Sequence, residues 1–194
     1  MKTLHITSNT VKKLNLIIAS IYQTLKNLLT SQERYENTSS TNMDNILNSF
    51  EKGEKLARII FSPFHIDTKN NKLKPAAFKS PSEKDEVSVT RINYTDAHYC
   101  KREGKKMESP EKVFQGLATI SYEKVIEFGA FVRVTKLETN PFHADIYYGI
   151  VLKRGESAPA ELNLILKNIS QTAKFFKDIN PNSETWEGND ITQY

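Results

Sequence analysis

The stretch Ala130-Phe-Val-Arg-Val-Thr-Lys-Leu137 is followed, after Glu138-Thr-Asn-Pro-Phe-His-Ala144, by Asp145-Ile-Tyr-Tyr-Gly-Ile-Val-Leu152. Both runs are rich in Val, Ile, Phe and Tyr, side chains that fit a pleated, half-buried surface, so each reads as a strand. Two strands in succession, with no helix between them, break the strict alternation that a parallel α/β sheet requires. The expected fold class is therefore α+β, with a mixed or mostly antiparallel sheet of about five strands.

Upstream, Leu117–Ile120 reads as another strand, followed by a helix that Ser121 caps and Gly129 stops. In Glu86-Val-Ser-Val-Thr-Arg, alternation puts Val87, Val89 and Arg91 on one face and Ser88 and Thr90 on the other. Leu56–Phe61 reads as a buried strand that Pro63 ends. A short helix is expected near residues 44–54, and another from a cap at Thr95 or Asp96 towards Cys100. Downstream, Leu162, Ile165, Leu166, Ile169, Ala173 and Phe176 form the apolar stripe of a C-terminal helix, with Ser157 as cap and Pro159 near its first turn. At the other end, Leu14, Ile18, Ile21, Leu25 and Leu28 recur at steps of four and three, one face of an amphipathic helix. The expected organisation is an N-terminal helix with a polar linker over 1–42, a single α+β domain over 43–180 and a polar tail over 181–194, loose except where Trp186 pins part of it.

The 194 residues carry a formal charge of +4 and only one cysteine, Cys100. An internal disulfide is excluded, and a reducing, cytoplasmic setting is the expectation. The most apolar stretch, Leu14–Leu29, is broken by Asn15, Ser20, Gln23, Thr24, Lys26 and Asn27, so no membrane span is expected. Seven glycines, none clustered, leave no phosphate-cradling loop. Kinase, P-loop and dinucleotide-fold signatures are absent, as are Gly-x-Ser-x-Gly and His-Glu-x-x-His. No cofactor is assigned.

The chemically suggestive feature is a pair of boxes, Pro63-Phe64-His65-Ile66-Asp67 and Pro141-Phe142-His143-Ala144-Asp145. In an extended segment His and Asp two positions apart project to the same side, where imidazole and carboxylate can share a metal or a proton. His65, Asp67, His143 and Asp145 would form a metal set if the boxes converged. Two separate structural turns are the first expectation, a shared polar pocket the second and a metal centre the third. The candidate ligand pocket is Arg58, His65, Ser88, Arg91 and His143, an Arg pair beside hydroxyls that suits an anion. His98 and Cys100 form a His-x-Cys pair too small for a zinc site, and on a helix the two point apart. Lys101, Arg102, Lys105 and Lys106 are the one basic cluster, first read as a solvated turn and second as a nucleic-acid contact.

From Ala57 onward the chain resembles a family of small bacterial proteins. The resemblance is carried by Ala57-Arg-Ile-Ile-Phe-Ser-Pro-Phe-His-Ile66, Leu73-Lys-Pro-Ala-Ala-Phe-Lys79, Asp85-Glu-Val-Ser-Val-Thr-Arg91 and Asn140-Pro-Phe-His-Ala-Asp-Ile146. It covers roughly residues 55–180 and implies a bacterial, cytosolic protein, with no activity attached. A fainter likeness is to ADP-ribosyltransferase-like domains, where an Arg on the first strand (here Arg58) and a later Ser/Thr strand (here Ser88 and Thr90) cradle NAD; a third catalytic Glu has no clear counterpart here. Function is therefore expected to be that of a ligand-binding or protein-interaction module. The Leu14–Leu28 face is first expected to dock on its own domain, and second to serve another copy or a protein partner. The alternatives are a small enzyme with an Arg/His/Ser pocket and a nucleic-acid binder.

Overall fold

The central strand is β1, Lys55–Ser62, and it is buried on both sides. Leu56 and Ile60 enter one core, whereas Ala57, Ile59 and Phe61 enter another. A strand covered on both faces carries a near-continuous apolar run, which explains Leu56-Ala-Arg-Ile-Ile-Phe61. The computed structural model describes residues 49–192. The N-terminal helix and linker expected over 1–42 lie outside the described residues, as does most of the helix expected near 44–54. The described part of the latter, 49–54, is a turn leading into β1.

β1 is flanked by β4 (Glu86–Arg91) and β5 (Val113–Ser121). Beyond β4 lie β7 (His143–Tyr147) and then β6 (Phe131–Val134), and beyond β5 lies β8 (Lys174–Lys177). Every pairing in this six-stranded sheet is antiparallel. A small hairpin of β2 (Ile66–Asp67) and β3 (Lys72–Leu73) stands apart. The helices are α1 (Ala97–Lys106), α2 (Tyr122–Glu127) and α3 (Ala160–Thr172). The α+β class and the antiparallel sheet agree with the sequence reading; the sheet has six strands where about five were expected. The additional strand, β8, occupies residues read as the end of the C-terminal helix. Phe176 fits the helical stripe by spacing, yet Phe175 packs against one core and Phe176 against the other, which only a strand permits.

α3 covers the first face. Its Leu162, Ile165, Leu166 and Ile169 are buried with Val87, Val89, Ala144 and Ile146 of the sheet. Each fully buried Leu or Ile contributes roughly 1.5–3 kcal/mol, enough to hold a helix whose start has no side-chain cap. α1 covers the second face and begins where the Asp96 carboxylate accepts from the Tyr99 amide at 2.7 Å. It lies close to the sheet because Gly104 has no side chain: a Cβ there would stand 2.7 Å from Phe114 Cδ2.

The residues after Asp178 also cover this face. They are not the loose tail expected from their polarity. Lys101 on α1 is fully buried and pairs with Asp178 at 2.6 Å, and its ammonium also donates to the carbonyls of Asn180 and Thr185 and to Ser183 Oγ. Ile191 is buried and Trp186 packs beside it. A single buried lysine thus organises a polar segment that has little apolar surface of its own.

Candidate functional site

The pairing of β1 with β4 covers only Leu56 with Arg91 and Ala57 with Thr90, although both strands run further. Arg58 is the first residue of β1 beyond the last pair. Its Nη1 donates to the Ser88 carbonyl and its Nε to the Ala77 carbonyl, each at 2.9 Å. The guanidinium therefore does for Ser88 what a β1 amide would do in a continued ladder. Among the described residues no carboxylate forms a salt bridge with Arg58, and Nη2 has no partner. Burial pulls its pKa down to about 10, against the longer-range pull of Tyr148 and Asp145.

Arg58 lines a groove of about 220 Å³ between α1, the sheet and the turn around Leu137–Asn140. The walls are apolar at Ala57, Ile59, Val89, Met107 and Leu137. The polar lining besides Arg58 is Ser88, Thr90, Glu103, Thr139, Asn140 and His143. Tyr99, Glu103 and Met107 are spaced by four, so one face of α1 forms the wall. At one end Tyr99 ties that wall to the turn: its hydroxyl donates to the Thr139 carbonyl at 3.3 Å and its ring meets Phe142 edge-on. Glu103 is paired with Lys106.

His143 opens β7, directly across from Thr90. Because strand side chains alternate, His143 and Asp145 face the groove side, while Ala144 and Ile146 enter the α3 core. His143 Nδ1 lies 2.9 Å from both the hydroxyl and the carbonyl of Thr135, and the same hydroxyl donates to Asp145 Oδ2 at 2.6 Å. Asp145 is buried, and its Oδ1 has no hydrogen-bond partner.

Of the five candidate pocket residues, the groove brings together Arg58, Ser88 and His143. His65 is not on its lining. It sits in the turn after β1, where Nδ1 accepts from the Phe61 amide at 3.2 Å and the ring meets Phe61 edge-on. Burial, then the charge of Arg58, lowers its pKa to about 4; an Ile59 backbone hydrogen bond opposes this and Lys112 reinforces it. Arg91 is also elsewhere, wholly buried on the α3 face. It pairs with Glu54 at 2.5 Å and stacks between Phe50 and Tyr94, an internal ion pair. The two boxes thus have unlike roles. Asp67 caps its own turn through the amides of Lys69 and Asn70, whereas Asp145 holds Thr135. Among the described residues no group of three His, Cys, Asp or Glu side chains forms a metal site.

His98 Nδ1 accepts from the Trp186 amide, so it fastens the C-terminal segment. Cys100 is buried, which pushes its thiol up to about 12, far from a reactive thiolate. The basic run is internally engaged: Lys101 as above, Lys105 with Glu108 and the Pro181 carbonyl, Lys106 with Glu103, and Arg102 over the Tyr99 ring. Sequence reasoning missed Thr135, Glu103 and Met107. The spacing of four from Tyr99 through Met107 carried a signal for the helix wall; nothing local in Thr135 carried one. No helix among the described residues is long and apolar enough to cross a membrane. No family model, curated protein or solved structure matches this chain.

Proposed function

We propose that the protein is a ligand-binding module whose groove takes a small organic anion, a carboxylate on a compact apolar body. The observation that carries this reading is Arg58: a partly buried residue of the groove lining whose guanidinium donates to two carbonyls and, among the described residues, forms no salt bridge. Removing a cation from water costs free energy that a counter-charge ordinarily offsets. Here the two carbonyls orient the fork and leave Nη2 for an anion, and charge-assisted bonds of that kind are the strong ones. Ala57, Ile59, Met107 and Leu137 suit the apolar body. Sites for whole cofactors and drug-sized ligands run from ~300 to 1,000 Å³, so the size of this groove favours a small acid over a dinucleotide.

The test is a calorimetric titration with benzoate. Wild type is expected to bind with Kd on the order of 1 mM, the strength typical of a ligand this small. Arg58→Gln removes the charge and Met107→Trp fills the groove from its half-exposed rim. Each is expected to weaken binding about tenfold or more while the protein still melts cooperatively. Benzoate that binds both folded variants as well as wild type contradicts the proposal.

A further inference from the structure

The Thr135 carbonyl can only accept a hydrogen bond, and it lies 2.9 Å from His143 Nδ1. That contact requires the proton to be on Nδ1. The Thr135 hydroxyl agrees: its one proton goes to Asp145 Oδ2, so towards Nδ1 it offers a lone pair. Two acceptors at one ring nitrogen fix the tautomer, and in the neutral ring Nε2 is then a bare acceptor. No described residue donates to Nε2, and the ring lines the groove. Beside it on the same strand face, the buried Oδ1 of Asp145 is a second acceptor without a donor. One side of the site therefore offers uncommitted N–H groups on Arg58, while the other has acceptors that lack a donor.

Resting on the anion-binding reading above, we infer that the ligand is a hydroxylated carboxylate: its carboxylate meets Arg58 and its hydroxyl donates to His143 Nε2. A simple carboxylate satisfies half of the groove. A hydroxy acid of the right spacing satisfies both halves, and the acceptor at His143 discriminates between them, because an acceptor that a bound ligand covers and leaves unmet costs what a made hydrogen bond returns.

The experiment compares benzoate with 2-, 3- and 4-hydroxybenzoate, a rigid series that moves the hydroxyl around one ring. Binding is measured at pH 8 by calorimetry on wild type and His143→Phe. At least one isomer is expected to bind wild type about tenfold more tightly than benzoate. In His143→Phe that preference vanishes. Long-range proton–nitrogen NMR on the wild-type protein, which needs no variant to fold, is expected to show His143 as the Nδ1–H tautomer. Its Nε2 resonance then shifts with the preferred isomer and not with benzoate. Benzoate binding with no isomer preferred overturns the inference and leaves the anion site standing. So does a preference that survives in His143→Phe, or a ring protonated on Nε2. If none of the four acids binds, both readings fall.

Discussion

The guanidinium of Arg58 donates to the Ser88 carbonyl at 2.9 Å, across the place where β1 and β4 cease to pair. One residue thus closes a split in the sheet and belongs to the lining of the groove. Removing it strands two carbonyls, those of Ser88 and Ala77. Arg58→Leu is expected to lower stability by about 1–3 kcal/mol in urea denaturation. An unchanged midpoint would show that the carbonyls are served without Arg58.

Lys101 and Asp178 are both fully buried and 2.6 Å apart. Breaking a buried pair from one side leaves an unmatched charge, so Lys101→Met is expected to cost about 3–5 kcal/mol. Adding Asp178→Leu to it should recover most of that loss. Urea denaturation of the two single variants and the double gives the coupling, and additive losses would show that the pair does not hold the C-terminal segment.

Stability should fall with acid through His65. The unfolded ring takes up a proton near its ordinary value of about 6.5, whereas the folded ring does so only near about 4. Between those values the unfolded state binds more protons, so the contribution is full above about pH 6.5 and is lost as pH falls towards about 4. With the ring's partial exposure allowed for, the loss is on the order of 2 kcal/mol. His65→Asn keeps an acceptor for the Phe61 amide and removes the titration. Denaturation midpoints from pH 7 to 4 should show a shallower decline in that variant; parallel declines would assign the acid sensitivity to other groups.

Gly116 and Gly53 both have positive φ, at +152° and +81°. A Cβ at Gly116 would meet the Phe176 carbonyl of β8 at 2.1 Å, whereas one at Gly53 would meet nothing within 4 Å. Gly53→Ala is therefore expected to cost only the conformational strain, about 1 kcal/mol. Gly116→Ala must also displace backbone and should cost about 3 kcal/mol or more, with amide exchange across Lys174–Lys177 accelerated. Equal costs for the two would contradict the packing of β8 on β5.

The sheet was legible where side chains alternate or run apolar without break. Val87, Val89 and Arg91 do share a face, and Leu56–Phe61 is the buried centre. The sequence could not separate Phe176 from the helical stripe, because a seven-residue step from Ile169 satisfies a helix and only the partner Leu117 reveals a strand. Arg58, Ser88 and His143 were legible as polar residues on strands. Arg91 looked equivalent to Arg58, but its role depends on Glu54, a residue 37 positions away whose burial no local pattern announces. His65 and His143 share a motif and diverge because one box follows a strand and the other opens one. The Thr135 relay depends on the pairing of β6 with β7, which places Thr135 beside His143.

The most direct measurement is a crystal structure grown with saturating benzoate. The carboxylate is expected about 3 Å from Arg58 Nη2 and the ring against Ala57, Ile59 and Met107. A groove empty of benzoate, or an Arg58 whose Nη2 is already held by a carboxylate of the protein itself, would contradict this.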